Sequence, residues 1–144
     1  MKFARGRFHL KNQEKYVGTK TPTYRSGWEH AFMRLCDEHP NVFKWASESL
    51  KIPYRHPLTG KYTIYVPDFF VVYIDKEGRK HAELVEIKPK AQTTMEDAGR
   101  SHSKQRQVVI NTAKWEAASA YAKQNRIKFR VVSEEQLFHN GKRK

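Results

Sequence analysis

Residues 66–90 read VPDFFVVYIDKEGRKHAELVEIKPK, and this stretch decides the fold. Its first half, 69–74, is a run of aromatic and β-branched side chains, and residues 82–87 form a second apolar run. The Asp-Lys-Glu-Gly sequence at 75–78 lies between them and is typical of a turn. The stretch therefore predicts a β-hairpin.

Three charged side chains flank this hairpin. Asp68 stands at the start of the first strand, behind Pro67, and Glu86 and Lys88 stand near the end of the second. Because the start of one antiparallel strand faces the end of the next, Asp68 and Glu86 are expected to be neighbours. Side chains alternate along a strand, so Glu86 and Lys88 share a face while Ile87 points into the core. The hairpin thus predicts two carboxylates and one ammonium group at one end of a sheet.

Such a group suits a hard divalent cation. Two carboxylates a few ångström apart repel each other, and Mg²⁺, which takes oxygen ligands and keeps several waters, relieves that repulsion. The metal can activate a water and neutralise charge on a phosphodiester, while Lys88 orients the water or stabilises negative charge. Glu-Ile-Lys at 86–88 alone is also typical of a solvated strand, but the Pro-Asp pair at hairpin spacing favours the metal site.

The composition points to a polyanionic partner. The chain has 144 residues, enough for one domain, and its 28 Lys and Arg against 15 Asp and Glu give a net charge of +13. Nucleic acid is the first candidate and a membrane surface the second, but no segment is apolar and long enough to span a bilayer. The N-terminus lacks the apolar core of a signal peptide, which predicts an intracellular protein. Cys36 is the only cysteine and the histidines are scattered, so structural zinc is not expected.

The chain divides into a basic N-terminal arm (1–25), a domain (26–139) and a basic C-terminal tail (140–144). The arm carries many cations and one acid, Glu14, and shows little apolar periodicity. It either follows a phosphate backbone, which would make DNA binding fall steeply with salt, or forms a solvated tail whose aromatic residues dock in part onto the domain. The arm residues predicted to contact DNA are Arg5, Arg7 and Lys11.

Helices and strands alternate through the domain. Ser26 is a predicted N-cap for a helix that ends near residues 39–40. Extended segments follow at 42–52 and 62–66, and a mobile loop is predicted at 92–103. A long helix is predicted at 104–125, with a wide apolar stripe formed by Val109, Ala113, Ala117, Ala120 and Tyr121 and joined on its flank by Val108, Trp115, Ala118 and Ala122. A strand at 127–132 and a short helix from Ser133 to Phe138 complete an α/β domain with a mixed central sheet.

These motifs resemble a known family. A helix glutamate, then Pro-Asp, then Glu-x-Lys on the next strand, followed by a helix and a strand, is similar to the PD-(D/E)XK nuclease superfamily, which has a restriction-endonuclease-like core. Within it the chain most resembles the head completion nucleases of T4-like tailed phages, and more distantly the TnsA-type transposon endonucleases. The segments that carry the resemblance are Lys11-Asn12, residues 15–18, YRSGWE at 24–29, WASE at 45–48, Ile52-Pro-Tyr54, Pro67-Asp-Phe69, EIKPK at 86–90 through Gln92, Lys114-Trp115 and Ala117-Ala118.

The resemblance implies a role for each matching residue. Asp68 and Glu86 are expected to bind the metal, Mg²⁺ or Mn²⁺, and Lys88 to be the catalytic lysine. Glu29 is expected to complete the acidic cluster; its position in the first turn of a helix also fits an interaction with the helix dipole.

The remaining predicted contacts are to duplex DNA. Arg25 is expected to clamp a phosphate beside Glu29 or simply to end the arm, and Lys90 to contact a phosphate or to be solvated. Lys104 and Gln105 open the long helix and are predicted DNA or site contacts. Glu48 fits either an ion pair at the sheet edge or a supporting position beside the site, and the three tryptophans are expected in the core.

The function implied is a metal-dependent deoxyribonuclease that acts in phage head completion, in the virion or the host cytoplasm, with phage head or neck proteins as candidate partners. Two alternatives stay open. One is a junction-resolving or transposon-type endonuclease with the same chemistry. The other is a DNA-binding structural protein of the virion without catalytic activity.

Overall fold

The structure is a computed structural model, and it describes residues 5–133 apart from the side chain of Ala91. The predicted helix from Ser133 to Phe138 falls outside this range beyond its first residue, and the tail at 140–144 lies wholly outside it. The elements in chain order are β1 (Gly6–Arg7), β2 (Thr23–Tyr24), α1 (Gly27–Glu38), β3 (Val42–Ser47), β4 (Ile52–Arg55), β5 (Tyr62–Tyr65), β6 (Phe69–Ile74), β7 (Lys80–Ile87), α2 (Met95–Ala98), α3 (His102–Gln124) and β8 (Lys128–Val132), with 3-10 turns at Gln13–Lys15 and Lys90–Gln92.

A four-stranded sheet in the order β3-β6-β7-β8 forms the centre of the domain. The predicted hairpin is its middle pair: β6 and β7 are antiparallel, and Gly78 makes the turn with a φ of 80°, a conformation that glycine adopts without steric cost. Strand β3 pairs antiparallel with β6, whereas β8 pairs parallel with β7. The predicted mixed sheet is thereby confirmed.

Apolar side chains cover both faces of this sheet. On one face Phe32 and Met33 of α1 pack with Trp45 and with the hairpin side chains Phe69 and Val85. On the other face Leu84 packs beneath Ile52, Tyr54 and Tyr65 of the separate β4–β5 pair and Ala118 of α3. The sheet is therefore buried on both sides, which determines the surroundings of Glu86.

The helices differ in how well the sequence predicted them. Helix α1 begins where expected, because Ser26 Oγ accepts the N–H of Glu29 at 3.2 Å. In α3 the buried residues are Val108, Asn111, Ala118 and Ala122, whereas Val109 and Ala120 of the predicted stripe are exposed. The buried face is thus centred on the predicted flank of Val108, Ala118 and Ala122, and it includes a polar residue that the apolar pattern did not indicate: Asn111 donates to the backbone carbonyl of Gln92 at 3.1 Å.

The segment at 92–103 is not a loop throughout, so that part of the prediction was wrong, whereas its mobility stays a prediction. It contains α2, and Thr94 Oγ1 accepts the N–H of Asp97 at 3.0 Å as an N-cap. Of α1, α2 and α3 in residues 5–133, none combines the length and the hydropathy that a bilayer-crossing helix requires.

The described part of the basic segment, residues 5–25, packs on the domain and does not stand apart from it. Phe8 is buried and meets the ring of Trp45 edge-on, with 6.0 Å between ring centroids. The buried carboxylate of Asp37 accepts the backbone N–H groups of Lys11 and Asn12 at 3.0 and 3.1 Å. Phe8 and Asp37 thus hold this segment against the domain, although its many cations had not indicated that it would pack there.

Candidate metal and phosphodiester site

Asp68 and Glu86 lie side by side at one end of the β6–β7 hairpin. The register pairs Phe69 with Val85, which places Asp68 next to Glu86 just beyond the ladder. The N–H of Ile87 donates to Asp68 Oδ2 at 2.8 Å, and the N–H of Asp68 donates to Glu86 Oε1 at 3.3 Å. Each carboxylate is thus positioned by the backbone of the opposite strand, and the two acids are neighbours as the hairpin pattern predicted.

The face that Glu86 shares with Lys88 is covered rather than open to solvent. Glu86 is only 4% exposed, because the β4–β5 pair and α3 lie over this side of the sheet. The O–H of Tyr65, the last residue of β5, donates to Glu86 Oε1 at 2.7 Å. The sequence placed Tyr65 in a strand but indicated no role for it, since its distance in sequence from Glu86 says nothing about contact.

Burial gives both carboxylates unusual titration. Desolvation raises the pKa of Asp68 well above its ordinary value, and the negative charge of Glu86 raises it further. Desolvation also raises the pKa of Glu86, while the Tyr65 O–H and the charge of Lys88 act in the opposite direction. The same burial, followed by the charge of Glu86, raises the pKa of Tyr65, so its phenol stays protonated and acts as a donor. Two desolvated, mutually repelling carboxylates are the arrangement that a divalent cation relieves.

Two lysines approach the carboxylate pair from different elements. Lys88 Nζ lies 3.6 Å from Glu86 Oε2, and the backbone N–H of Lys88 donates to Val132 at 3.0 Å, which ties it to the end of β8. Lys114 of α3 lies with its Nζ 5.7 Å from the centre of the Tyr65 ring. Burial and then the charge of Lys88 lower the pKa of Lys114, whereas Glu86 and Asp68 oppose this shift. Sequence analysis gave Lys114 no role; its one signal was its place in a segment that carried the family resemblance.

Glu29, Arg25 and Glu48 form a second polar group beside Asp68. Glu29 Oε1 accepts the backbone N–H of Arg25 at 3.2 Å, and the guanidinium of Arg25 pairs with the carboxylate of Glu48. Glu48 has a φ of 50°, in the left-handed region, and its N–H donates to the carbonyl of Asp68 at 2.9 Å. The alternatives left open for Glu48 are therefore compatible, because its ion pair with Arg25 stands directly next to Asp68.

Two carboxylates of the site, those of Asp68 and Glu86, are close enough together to share a metal ion. Within residues 5–133 no three His, Cys, Asp or Glu side chains are grouped so as to hold a metal ion, so Glu29 does not join Asp68 and Glu86 in a three-acid cage. Glu29 is near enough that its charge contributes to the raised pKa of Asp68, after the larger effects of burial and Glu86. A site of one or two carboxylates completed by water and substrate phosphate is the kind that Mg²⁺ uses, so the Asp68–Glu86 pair fits this ion.

The other predicted DNA contacts lie in several parts of the fold: before and in β1, in the segment after β1, in the turn after β7 and at the start of α3. Arg5 lies just before β1 and Arg7 is its last residue, and both are exposed. Lys11 Nζ lies 3.5 Å from Glu38 Oε2. Lys90 begins a 3-10 turn rather than continuing the strand, with its Nζ 4.0 Å from Asp97. Gln105 donates to the carbonyl of Gly99 at 2.7 Å, and Lys104 precedes Lys114 by about 15 Å along the helix axis. Their contact with DNA stays a prediction.

Comparison with known proteins identifies the family of the chain. Residues 39–134 match the family of TnsA-like endonuclease N-terminal domains, which have the restriction-endonuclease-like fold that the sequence predicted. The chain is also 34% identical over 142 residues to the head completion nuclease of Enterobacteria phage T4, a match that covers 92% of each protein. Asp68, Glu86 and Lys88 fall inside the TnsA-like match, whereas Glu29 precedes it.

Proposed function

Because this chain belongs to the TnsA-like endonuclease family and is related to a head completion nuclease, we propose that it is a metal-dependent deoxyribonuclease. The observation that carries the proposal is the pair of adjacent carboxylates, the half-buried Asp68 and the buried Glu86, with the ammonium of Lys88 3.6 Å from Glu86. A buried like-charge pair costs stability, so a role that needs it accounts for its presence better than packing does.

The residues divide the work as follows. Asp68 and Glu86 would hold Mg²⁺ or Mn²⁺, with Glu29 as a further acid reached through water. When bound, such an ion activates a water for attack and neutralises charge on the phosphodiester. Lys88 orients the attacking water or stabilises the negative charge that develops on the phosphate.

Tyr65 and Lys114 support this chemistry. By donating to Oε1, Tyr65 fixes the rotamer of Glu86 and favours its ionised form, which is the form that binds a cation. Lys114, held over the Tyr65 ring, brings a second positive charge to the same side of the sheet and is placed to contact the scissile phosphate or a neighbouring one.

The biological setting comes from the relative. The phage T4 protein is a head completion nuclease, so we propose that this chain processes DNA ends during virion assembly, in the virion or the host cytoplasm. Duplex DNA would be its substrate, and head or neck proteins its partners. The net charge of +13 supports a polyanionic substrate.

The test is cleavage of supercoiled and linear duplex DNA with Mg²⁺ or Mn²⁺ by wild type, Glu86→Gln and Lys88→Ala. Glu83→Gln is the matched control, because Glu83 is a buried carboxylate on the same strand that instead accepts from Tyr73 and Arg130. Metal-dependent cleavage that is lost in both site variants and kept in the control supports the proposal. If wild type and all variants bind DNA alike and none cleaves it, the structural-protein alternative replaces it.

A further inference from the structure

The β4–β5 pair is fixed at its base directly over the candidate site. The inner side of this hairpin, formed by Ile52, Tyr54 and Tyr65, packs on Leu84 of the central sheet and Ala118 of α3. The register pairs Ile52 with Tyr65, and Tyr65 donates to Glu86 at 2.7 Å. The Tyr65 end of this hairpin therefore lies beside the carboxylates.

The outer side of the hairpin exposes large apolar side chains. Pro53 faces Ile64 and Arg55 faces Tyr62 across the two strands. Tyr62 is 78% exposed and Ile64 is 55% exposed, and Leu58 in the connecting turn is 53% exposed. A cluster of this kind on one element is more typical of a binding surface than single apolar residues scattered over the molecule.

The charge of the hairpin identifies the kind of partner. Residues 51–66 contain Lys51, Arg55 and Lys61 and no Asp or Glu. Arg55 Nε donates to the carbonyl of Gly60 at 3.1 Å, which holds its guanidinium at the turn, and the backbone of Arg55 pairs with that of Tyr62 across the strands. Cations next to an aromatic and an aliphatic side chain match a polyanion that also offers flat apolar surfaces, as DNA does.

We infer that the outer face of the β4–β5 hairpin binds duplex DNA beside the cleaved phosphate, with Tyr62 and Ile64 against bases or sugars in a groove and Arg55 and Lys61 on phosphates. A two-stranded ribbon is narrow enough to enter the major groove. Tyr62 stands three residues from Tyr65, about 10 Å at roughly 3.4 Å per residue, so it reaches about three base pairs from the phosphate at Glu86. This inference rests on the proposed function, since it takes DNA as the substrate.

The first test is fluorescence anisotropy with a short labelled duplex, titrated in EDTA over a range of salt concentrations. We expect Tyr62→Ala to weaken binding about 5- to 100-fold with an unchanged salt dependence, because it removes an uncharged contact. Arg55→Ala should lower the slope of log affinity against log salt by about one, because it removes a phosphate contact. Phe43→Ala is the matched control: Phe43 is 48% exposed, but it lies against Lys80 at the opposite end of β7.

The second test locates the contact. Cys36 is the only cysteine and is buried, so Tyr62→Cys introduces an accessible thiol on the hairpin. This variant should form a disulfide with a duplex that carries a base-tethered mixed disulfide, by thiol–disulfide exchange that releases the small thiol, and Phe43→Cys should not. If Tyr62→Ala binds as wild type does and both cysteine variants cross-link equally, the hairpin does not contact DNA and this inference is wrong.

The outcomes separate this inference from the proposed function. If wild type binds and cleaves DNA and the hairpin variants match it in affinity and salt dependence, only the inference fails, and an exposed apolar hairpin is then left for a protein partner. If wild type neither binds nor cleaves duplex DNA, both the proposed function and this inference are wrong.

Discussion

Replacing Asp68 by asparagine should stabilise the metal-free protein while abolishing its response to Mg²⁺. Asparagine keeps an oxygen that can accept the N–H of Ile87, now 2.8 Å from Asp68 Oδ2, but it removes the charge that Glu86 repels. Two charges roughly 5 Å apart repel by about 3 kcal/mol at an effective dielectric constant of about 20. The amide oxygen accepts a weaker, neutral hydrogen bond in place of a charge-assisted one, and this loss of about 1 kcal/mol offsets part of the relieved repulsion. The net gain in the free energy of unfolding is therefore about 1–2 kcal/mol.

The assay is thermal unfolding followed by circular dichroism, in EDTA and in MgCl₂. For a chain of this size each kcal/mol shifts Tm by about 2–4 °C, so Asp68→Asn should melt several degrees above wild type in EDTA. Mg²⁺ should raise the Tm of wild type, because it binds only the folded protein, and should leave the variant unchanged. Glu83→Gln should melt below wild type in both buffers, since it weakens the pair of the buried Glu83 with the half-exposed Arg130 and leaves the site intact.

The pH dependence of stability gives an independent check. Folding raises the pKa of Asp68 and of Glu86, so between the unfolded and folded pKa values the folded protein binds more protons than the unfolded chain. The contribution of these groups to stability is full below the unfolded pKa and is lost as the pH rises through the folded pKa. Asp75, whose pKa is lowered mainly by its hydrogen bond with His81, acts in the opposite direction, so the informative quantity is the difference between variant and wild type.

We expect Asp68→Asn to gain most over wild type at neutral and higher pH, and its advantage to shrink as the pH falls toward the ordinary carboxyl range. A variant that melts below wild type in EDTA and still gains stability from Mg²⁺ would refute the reasoning. Asp68 would then be a structural residue with no part in holding the cation.

Three further variants test the groups around the carboxylates. Tyr65→Phe removes the donor that favours ionised Glu86, so cleavage near neutral pH should fall about 10- to 100-fold and the acidic limb of the pH–rate profile should move to higher pH; an unmoved limb would contradict this. Lys114→Ala should lower the cleavage rate without reducing the Mg²⁺-induced rise in Tm, with partial recovery in Lys114→Arg, and an unchanged rate would remove Lys114 from the site. Arg25→Ala frees Glu48 from its ion pair and should raise KM for DNA more than it lowers kcat if Arg25 contacts phosphate; a change in kcat alone would contradict that contact.

What the sequence could predict depended on local pattern. The β6–β7 hairpin follows from period-two alternation and a turn, and once it is accepted the approach of Asp68 and Glu86 follows from antiparallel geometry alone. The start of α1 follows from a cap that Ser26 and Glu29 form within four residues. Each of these predictions depends only on contacts between residues that are close in sequence or directly opposite each other on two paired strands.

The parts that the sequence missed depend on which elements pack together. Tyr65 reaches Glu86 only because the β4–β5 pair folds over the sheet, and Lys114 reaches the same place only because α3 packs on β4 and β8. No pattern in either segment specifies that packing. The contact that holds the start of the 92–103 segment was missed for the same reason, because the side chain of Asn111 in α3 donates to the carbonyl of Gln92.

The covering of Glu86 determines how strongly the two carboxylates interact with each other and with a cation. Had the β7 face stayed open, water would screen the carboxylates, their repulsion would be small, and a cation would gain little by binding. Covering that face with the β4–β5 pair and α3 raises the affinity for a cation. The same covering elements supply Tyr65, which holds Glu86, and Lys114, which adds a positive charge beside the two acids. The β4–β5 hairpin also leaves Tyr62 and Ile64 facing outward, where a duplex would approach. The energy stored in two desolvated acids is therefore the reason that the metal-free protein should be less stable than its Asp68→Asn variant.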